Sequence, residues 1–292
     1  TSHITNNKNL PSKFQRWFST RGWQIYEHQL SMISEFKKGN SCLLIAPTGS
    51  GKTLSGFLPS LIELCELPFE NKQKPKLHTL YISPLKALSV DVQRNLQIPI
   101  TEMDLPILCE TRTSDTSAKK RDRQKVKPPN ILLTTPESLE LMLAWPEAKN
   151  YFFNLSTIII DEIHSVIGNK RGDLLSLSIT TLRKYAPKAS FIGLSATVAD
   201  SGQLAQWLAP EPNKVTILKP NITKKIDIKI YYPTSNEIPF AGHSADYAVA
   251  DIYQMILAHK ISLIFVNTRA QAELLFQSLW RKNNDDLHIG LH

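Results

Sequence analysis

Lys52 and Thr53, approached through Ala46-Pro47-Thr48-Gly49-Ser50-Gly51, are the residues of this chain whose types and spacing point most directly to chemistry. An apolar run from Ser41 to Ala46 leads in, and a helix-compatible stretch from Leu54 to Leu58 leads out. Strand, small-residue loop, Gly-Lys-Thr and helix is the order that a phosphate-cradling loop needs. The backbone N–H groups of such a loop form an anion nest, and the helix N-terminus adds its positive dipole end. Gly49 and Gly51 allow dihedrals that a Cβ forbids. Residues 48–53 (Thr48, Gly49, Ser50, Gly51, Lys52 and Thr53) then wrap the phosphates. Lys52 brings a mobile charge to the outer ones, and Thr53 a hydroxyl for Mg²⁺. The strict pattern has Gly at position 46, where this chain has Ala.

A second constellation says what a bound nucleotide is for. Thr157-Ile158-Ile159-Ile160 runs into Asp161-Glu162-Ile163-His164. Such a short apolar run reads as a strand buried on both faces, and ligands sit at the C-terminal ends of strands in an open parallel sheet. Asp161 is placed to hold Mg²⁺ opposite Thr53. Glu162 can polarise an attacking water. His164 lies beyond the chemistry and suits carrying a signal.

With these residues in hand, the chain resembles a superfamily 2 helicase of the DEAD/DEAH kind. Ala46–Thr53 looks like that superfamily's motif I, where Ala commonly replaces the first Gly, and Asp161–His164 like motif II in its DExH form. Ser195-Ala196-Thr197 follows an apolar run and looks like motif III. Ser83-Pro84-Leu85-Lys86-Ala87-Leu88 looks like motif Ia, and Thr134-Thr135-Pro136-Glu137 like the next strand-contacting motif. Gln29, preceded by Trp23 and Tyr26, stands where the adenine-reading glutamine is expected. Arg112-Thr113-Ser114-Asp115-Thr116 resembles an element of large helicase-related (Lhr-type) proteins, with Ser114 where that element usually has Gly. Those proteins include forms associated with a DNA ligase. The resemblance implies ATP and Mg²⁺ as cofactors and 3′ to 5′ translocation on single-stranded or partly duplex DNA, with RNA as the alternative. It implies nucleic-acid contacts from Pro84, Lys86, Arg112, Thr113, Thr135 and Pro136, and coupling through His164, Ser195 and Thr197. Repair proteins such as a ligase are the implied protein partners.

The elements that must position these residues are legible as alternation. Strand-like runs near 41–46, 77–83, 106–110, 130–135, 156–161 and 190–195 alternate with helix-like segments, which argues a mostly parallel α/β sheet covered on both faces. Residues 13–37 read as two helices outside it. The stretches 63–76 and 117–129 read as surface loops, the second gathering Lys119, Lys120, Arg121 and Arg123, a basic run that also reads as a solvated helix face. Residues 1–40 therefore read as N-terminal helices, 41–209 as a first RecA-like domain and 210–243 as a connector. The connector carries an edge strand at Lys225–Tyr231. Residues 244–292 read as the start of a second RecA-like domain: a helix at 245–258, a strand at Ile261–Val266, then Asn267-Thr268-Arg269 as a strand-gripping motif and a helix at 270–281. The family's later motifs, with their arginine finger, are expected beyond residue 292, so the chain reads as shortened and nearly inactive alone. His288 and His292 read as tail histidines.

Composition bounds the rest. Over 292 residues, 42% are hydrophobic and 21% charged, and the formal net charge of +8 suits a polyanion partner. Cys42, Cys65 and Cys109 have neither disulfide nor zinc spacing and read as reduced core residues. No run reaches the ~18 apolar residues of a membrane helix. The polar N-terminus lacks a signal core, so the reading is cytoplasmic, with no membrane partner. Two rival functions stay open: a nucleotide-gated nucleic-acid clamp that does not turn over, and a P-loop NTPase of unrelated task.

Overall fold

In the central strands of this chain, successive side chains enter two different cores. The computed structural model describes residues 10–67, 76–196, 198, 200–209, 215–220, 227–232 and 246–291. Two units divide these residues, Thr1–Thr223 and Lys224–His292.

The first unit begins with helices α1 (Ser12–Thr20) and α2 (Glu27–Lys37). Then follow β1 (Ser41–Ile45), α3 (Lys52–Glu66), β2 (Thr79–Ile82), α4 (Lys86–Glu102), β3 (Cys109–Arg112) and α5 (Ala118–Val126). Next come β4 (Ile131–Thr134), α6 (Pro136–Leu143), α7 (Ala148–Phe152), β5 (Thr157–Ile160), α8 (Lys170–Tyr185), β6 (Ser190–Ser195), α9 (Ser201–Leu208) and β7 (Val215–Leu218). The strands form one sheet in the order β3-β4-β2-β5-β6-β1-β7, and every neighbouring pair is parallel.

Residues of alternating parity fill the two faces, as the two-residue period of a strand requires. Cys42, Leu44, Tyr81, Ile131, Leu133, Ile159, Ile192 and Leu194 join one core with α1 to α4. Leu43, Ile45, Leu80, Ile82, Leu132, Ile158, Ile160 and Phe191 join the other with α6 to α9. Burial on both faces explains why the strands read as continuous apolar runs. It also pushes the Cys42 and Cys109 thiols up to about 12, which leaves them unreactive.

The parallel α/β sheet matches the expectation; several elements do not. β3 lies at Cys109–Arg112, later than the apolar run at 106–110, because Pro106 cannot donate to a ladder. Residues 118–126 form a helix where a loop was the expectation, and the basic run is a solvated helix face, as its alternative reading had it, with only Gln124 buried. The edge strand is β7, paired with β1, whereas 227–232 are exposed and in no strand. The rest of that expected strand, and residues 68–75 of the expected loop at 63–76, fall outside the described residues. No described helix is long and apolar enough to cross a membrane.

In the second unit, α10 (Val249–Leu257) packs on α11 (Arg269–Lys282) through Val249, Tyr253, Leu275 and Leu279. The run Ile261–Val266 is not a strand here. Ile261, Leu263 and Phe265 are 86%, 80% and 90% exposed. A strand of a parallel sheet needs partners to pair with, and among the described residues this segment has none.

Candidate nucleotide-binding site

The Gly49 and Gly51 backbones both take φ of +76°, the left-handed region that favours glycine. At Gly51 space is tight as well, since a Cβ would lie 3.0 Å from Gln29 Nε2, which would have to give way. Gln29 is buried at the start of α2, and its Oε1 accepts the Tyr26 backbone N–H at 3.0 Å. This is a capping arrangement that fixes the glutamine against the loop. The neighbouring His28, also buried, reaches the Ser50 carbonyl with Nε2 at 3.1 Å and stacks on Tyr26. Burial holds the His28 imidazole below its ordinary pKa, and the bond to Ser50 opposes this only partly. A neutral ring donating to Ser50 is the form that fits. The loop closes on itself where Ser50 Oγ donates to the Pro47 carbonyl at 2.6 Å. Lys52, 7% exposed, opens α3 and donates from Nζ to the Ala46 carbonyl at 2.9 Å. Thr48 and Gly49 are exposed at the loop crest. The Thr53 hydroxyl has no partner among the described residues.

Across β6 lies the acidic end of β5. Asp161 is buried, and each carboxylate oxygen accepts one bond: Oδ2 from the Tyr81 hydroxyl at 2.5 Å and Oδ1 from the Glu162 N–H at 2.8 Å. Glu162 takes left-handed backbone, φ 48° and ψ 40°, a conformation costing a non-glycine residue about 1 kcal/mol. Its Oε2 is 3.4 Å from His164 Nδ1. The same nitrogen lies 3.2 Å from Ser195 Oγ and 3.3 Å from the Ala196 N–H. Ser195 is the last residue of β6, so the histidine joins two strand ends. Thr197 falls outside the described residues.

These residues fit Mg²⁺. No cluster of three His, Cys, Asp or Glu side chains occurs among the described residues. None is required, because Mg²⁺ with a bound triphosphate takes one or two protein oxygens and fills its shell with phosphate and water. A buried carboxylate with lone pairs to spare and an unpartnered hydroxyl supply that number.

The remaining candidates follow β3, β4 and β2, which are contiguous in the sheet. Lys86 is exposed at the start of α4 and ion-paired to Asp115 at 3.1 Å. Arg112 does not present its charge as the sequence suggested. It is 7% exposed, bonds the Arg121 carbonyl at 2.8 Å, and lies over the Trp145 ring at 4.6 Å. Thr113, Thr135, Pro84 and Pro136 are buried too. Thr113 shapes a turn with Asp115 and Thr116, while Thr135 caps α6 with Pro136 at its first position. What these loops offer outward is Lys86, exposed Ser114 and the N-termini of α4 and α6. In the second unit, Asn267 and Arg269 are exposed at the start of α11, with Arg269 paired to Glu273.

β1 and β5 are two strands apart, about 10 Å at the usual interstrand spacing. The phosphate loop and the carboxylate therefore face each other over the length of a triphosphate and its cation. That places the first unit among P-loop nucleotide-binding domains built on a RecA-like sheet. Comparison with known proteins narrows the class. The family model for DEAD/DEAH box helicases matches residues 26–204, and the chain belongs to that family. It is 36% identical over 275 residues to the ATP-dependent helicase Lhr-Core of Methanocaldococcus jannaschii, covering 90% of this chain and 32% of the relative. It is 37% identical over 268 residues to the Lhr helicase/uracil glycosylase of Escherichia coli, covering 82% of this chain and 17% of that protein. Among solved structures, the Mycobacterium smegmatis helicase Lhr bound to ssDNA and AMP-PNP superposes with TM-score 0.81 at 32% identity. That match covers 97% of this chain and 37% of the other. The chain thus spans about a third or less of the length of these relatives.

The sequence reading passed over two residues at this site. His28 left a faint trace, standing beside Gln29. Tyr81 left a clearer one, a single phenol inside the apolar β2 run.

Proposed function

We propose that the chain is the nucleotide-binding part of an Lhr-type helicase motor that hydrolyses ATP to translocate 3′ to 5′ on single-stranded DNA. The observation that carries this reading is the division of one sheet edge. Nucleotide candidates occupy the ends of β1, β6 and β5, and the strand-contacting loops follow β2, β4 and β3. Support for DNA comes from the mycobacterial relative, whose structure holds ssDNA and AMP-PNP. RNA is the second reading.

In this reading the loop 48–53 cradles the phosphates and Gln29 reads adenine. Thr53 and Asp161 hold Mg²⁺, which neutralises phosphate charge when bound. Glu162 orients the attacking water. His164, touching Glu162, Ser195 and Ala196, relays nucleotide state to the neighbouring strand end. Lys86 and the helix N-termini grip the sugar–phosphate backbone without reading bases. Residues 244–292 begin the second RecA-like domain, where Asn267 and Arg269 add a further grip.

The test is binding of a fluorescent ATP analogue and of an oligothymidine strand to the 292-residue chain, each titrated with and without Mg²⁺. Mg²⁺-dependent analogue binding and salt-sensitive binding of the strand are expected. Nucleotide binding indifferent to Lys52→Ala would overturn the assignment.

A further inference from the structure

Beyond the backbone ladder, the two halves of the sheet edge are joined by a buried side-chain hydrogen bond, from Tyr81 on β2 to Asp161 at the end of β5. Tyr81 is 0% exposed and stands among Thr79, Leu80 and Ile82 in a strand flanked on both sides. A phenylalanine would fill the same volume, so the core does not account for the hydroxyl. Its partner does. We propose that Tyr81 is a positioning residue for the Asp161 carboxylate, fixing the orientation in which that group takes Mg²⁺. The inference rests on the metal role given to Asp161 above.

Three observations support it. First, the bonding is divided. Oδ2 accepts from Tyr81 and Oδ1 from the Glu162 backbone, so rotation of the carboxylate breaks both bonds, while each oxygen keeps a free lone pair for a cation or its water. Second, the direction of the bond is set by its partners: a carboxylate oxygen only accepts, so the phenol O–H is the donor and its proton points at Asp161 Oδ2. Third, the ring is itself fixed. It packs on Phe57 with centroids 5.2 Å apart, and Phe57 belongs to α3, the helix that Lys52 and Thr53 open. One aromatic pair therefore sets the carboxylate against the helix that bears the other candidate metal oxygen. Partners of this kind commonly change metal affinity by 10- to 100-fold when removed.

The experiment measures the Mg²⁺ concentration giving half-maximal binding of a fluorescent ATP analogue to the 292-residue chain. Wild type is compared with Tyr81→Phe, Asp161→Asn, the double variant and Phe57→Leu. Tyr81→Phe is expected to raise the midpoint roughly 10-fold or more, with analogue affinity in EDTA unchanged. Asp161→Asn should raise it further, and Tyr81→Phe should add nothing in that background. Phe57→Leu loosens the packing of the ring but keeps the hydroxyl, so it should lower thermal stability and shift the midpoint far less than Tyr81→Phe does. An unchanged midpoint in Tyr81→Phe beside a shifted one in Asp161→Asn overturns the role of Tyr81 alone. An equal shift in Phe57→Leu overturns it too, by assigning the effect to packing. A midpoint unmoved by Asp161→Asn overturns the metal assignment and this inference with it.

Discussion

A lysine ammonium held by one backbone carbonyl has little to do with keeping a fold together. Among the described residues Lys52 donates only to Ala46, at 2.9 Å, and a hydrogen bond of that kind contributes about 1 kcal/mol net. Lys52→Ala should therefore unfold within a few degrees of wild type while losing ATP affinity, as calorimetry with and without nucleotide can show. Equal affinity in both would remove the residue from the phosphate site. Glu162 offers a sharper separation of binding from chemistry. Its left-handed backbone and its contact with His164 depend on position, and glutamine keeps both shape and length. Glu162→Gln should bind ATP and Mg²⁺ as wild type does, yet lose hydrolysis in a chain that covers the length of the relatives. Hydrolysis at the parental rate would leave Glu162 a strand-end carboxylate. At this scale the sequence was readable wherever chemistry demands a residue type at a fixed spacing, as in Gly-Lys-Thr and Asp-Glu. It was not readable where a role depends on a neighbour distant in the chain. Nothing near Tyr81 in sequence announces Asp161, and nothing local distinguishes a buried Arg112 from a phosphate-binding one.

Elements were legible through period and punctuation, and the mistakes have physical causes. The basic run at 118–126 is polar all round, so no apolar stripe marked it as a helix, and its N-terminus is set by the turn that Thr113 and Thr116 close. Arg112 ties that helix to β3, bonding the Arg121 carbonyl and lying over Trp145. Arg112→Ala should destabilise the first unit by on the order of 2 kcal/mol, seen in denaturant melts. Lys86→Ala should leave the melt unchanged and lower the salt dependence of single-strand binding by about 0.7 in log–log slope. The reverse pattern would restore Arg112 to the nucleic-acid surface. β7 escaped notice because Val215-Thr216-Ile217-Leu218 is too short, between Pro212 and Pro220, to show a period, and it is held partly by Glu35. That carboxylate accepts from Lys38, Asn40 and Thr216, at 2.6, 2.8 and 2.9 Å, and joins the end of α2 to the edge strand. These bonds hold its pKa down at about 2, against the ordinary 4.5. Above pH 4.5 both folded and unfolded chains are ionised and the stabilisation is complete. As pH falls from 4.5 towards 2 the unfolded chain takes up the proton first, so stability drains away across that window. Glu35→Gln should be less stable than wild type at pH 7 and should flatten this part of the pH–stability curve. A wild-type profile with equal slope in both proteins would exclude Glu35 as a source of acid sensitivity.

At the scale of the molecule the first unit carries its own account and the second does not. All of the nucleotide candidates lie within Thr1–Thr223, on a sheet whose two faces are both covered. In Lys224–His292 a pair of helices encloses a small core, and the apolar run at 261–266 stands exposed. The sequence could supply the apolar run but not the neighbours that make such a run a strand. The two units should therefore differ in what they contribute to measured behaviour. A protein of residues 1–223 should bind a fluorescent ATP analogue as tightly as the 292-residue chain does. It should also bind less of a dye that reports exposed apolar surface, since Ile261, Leu263 and Phe265 are gone. Turnover is a separate expectation, and it rests on the proposed function. In related P-loop enzymes an arginine from outside the phosphate loop is worth on the order of 10³–10⁵ in rate, and under the proposed reading that arginine is supplied from outside these 292 residues. Neither the 1–223 protein nor the 292-residue chain should show DNA-stimulated hydrolysis above background. A chain extended to the length of the archaeal relative, of which this one spans 32%, should show it. Vigorous stimulated hydrolysis by the 292-residue chain would mean that the missing charge comes from within it or from a second copy. A dependence of the rate on the square of protein concentration would identify the second copy.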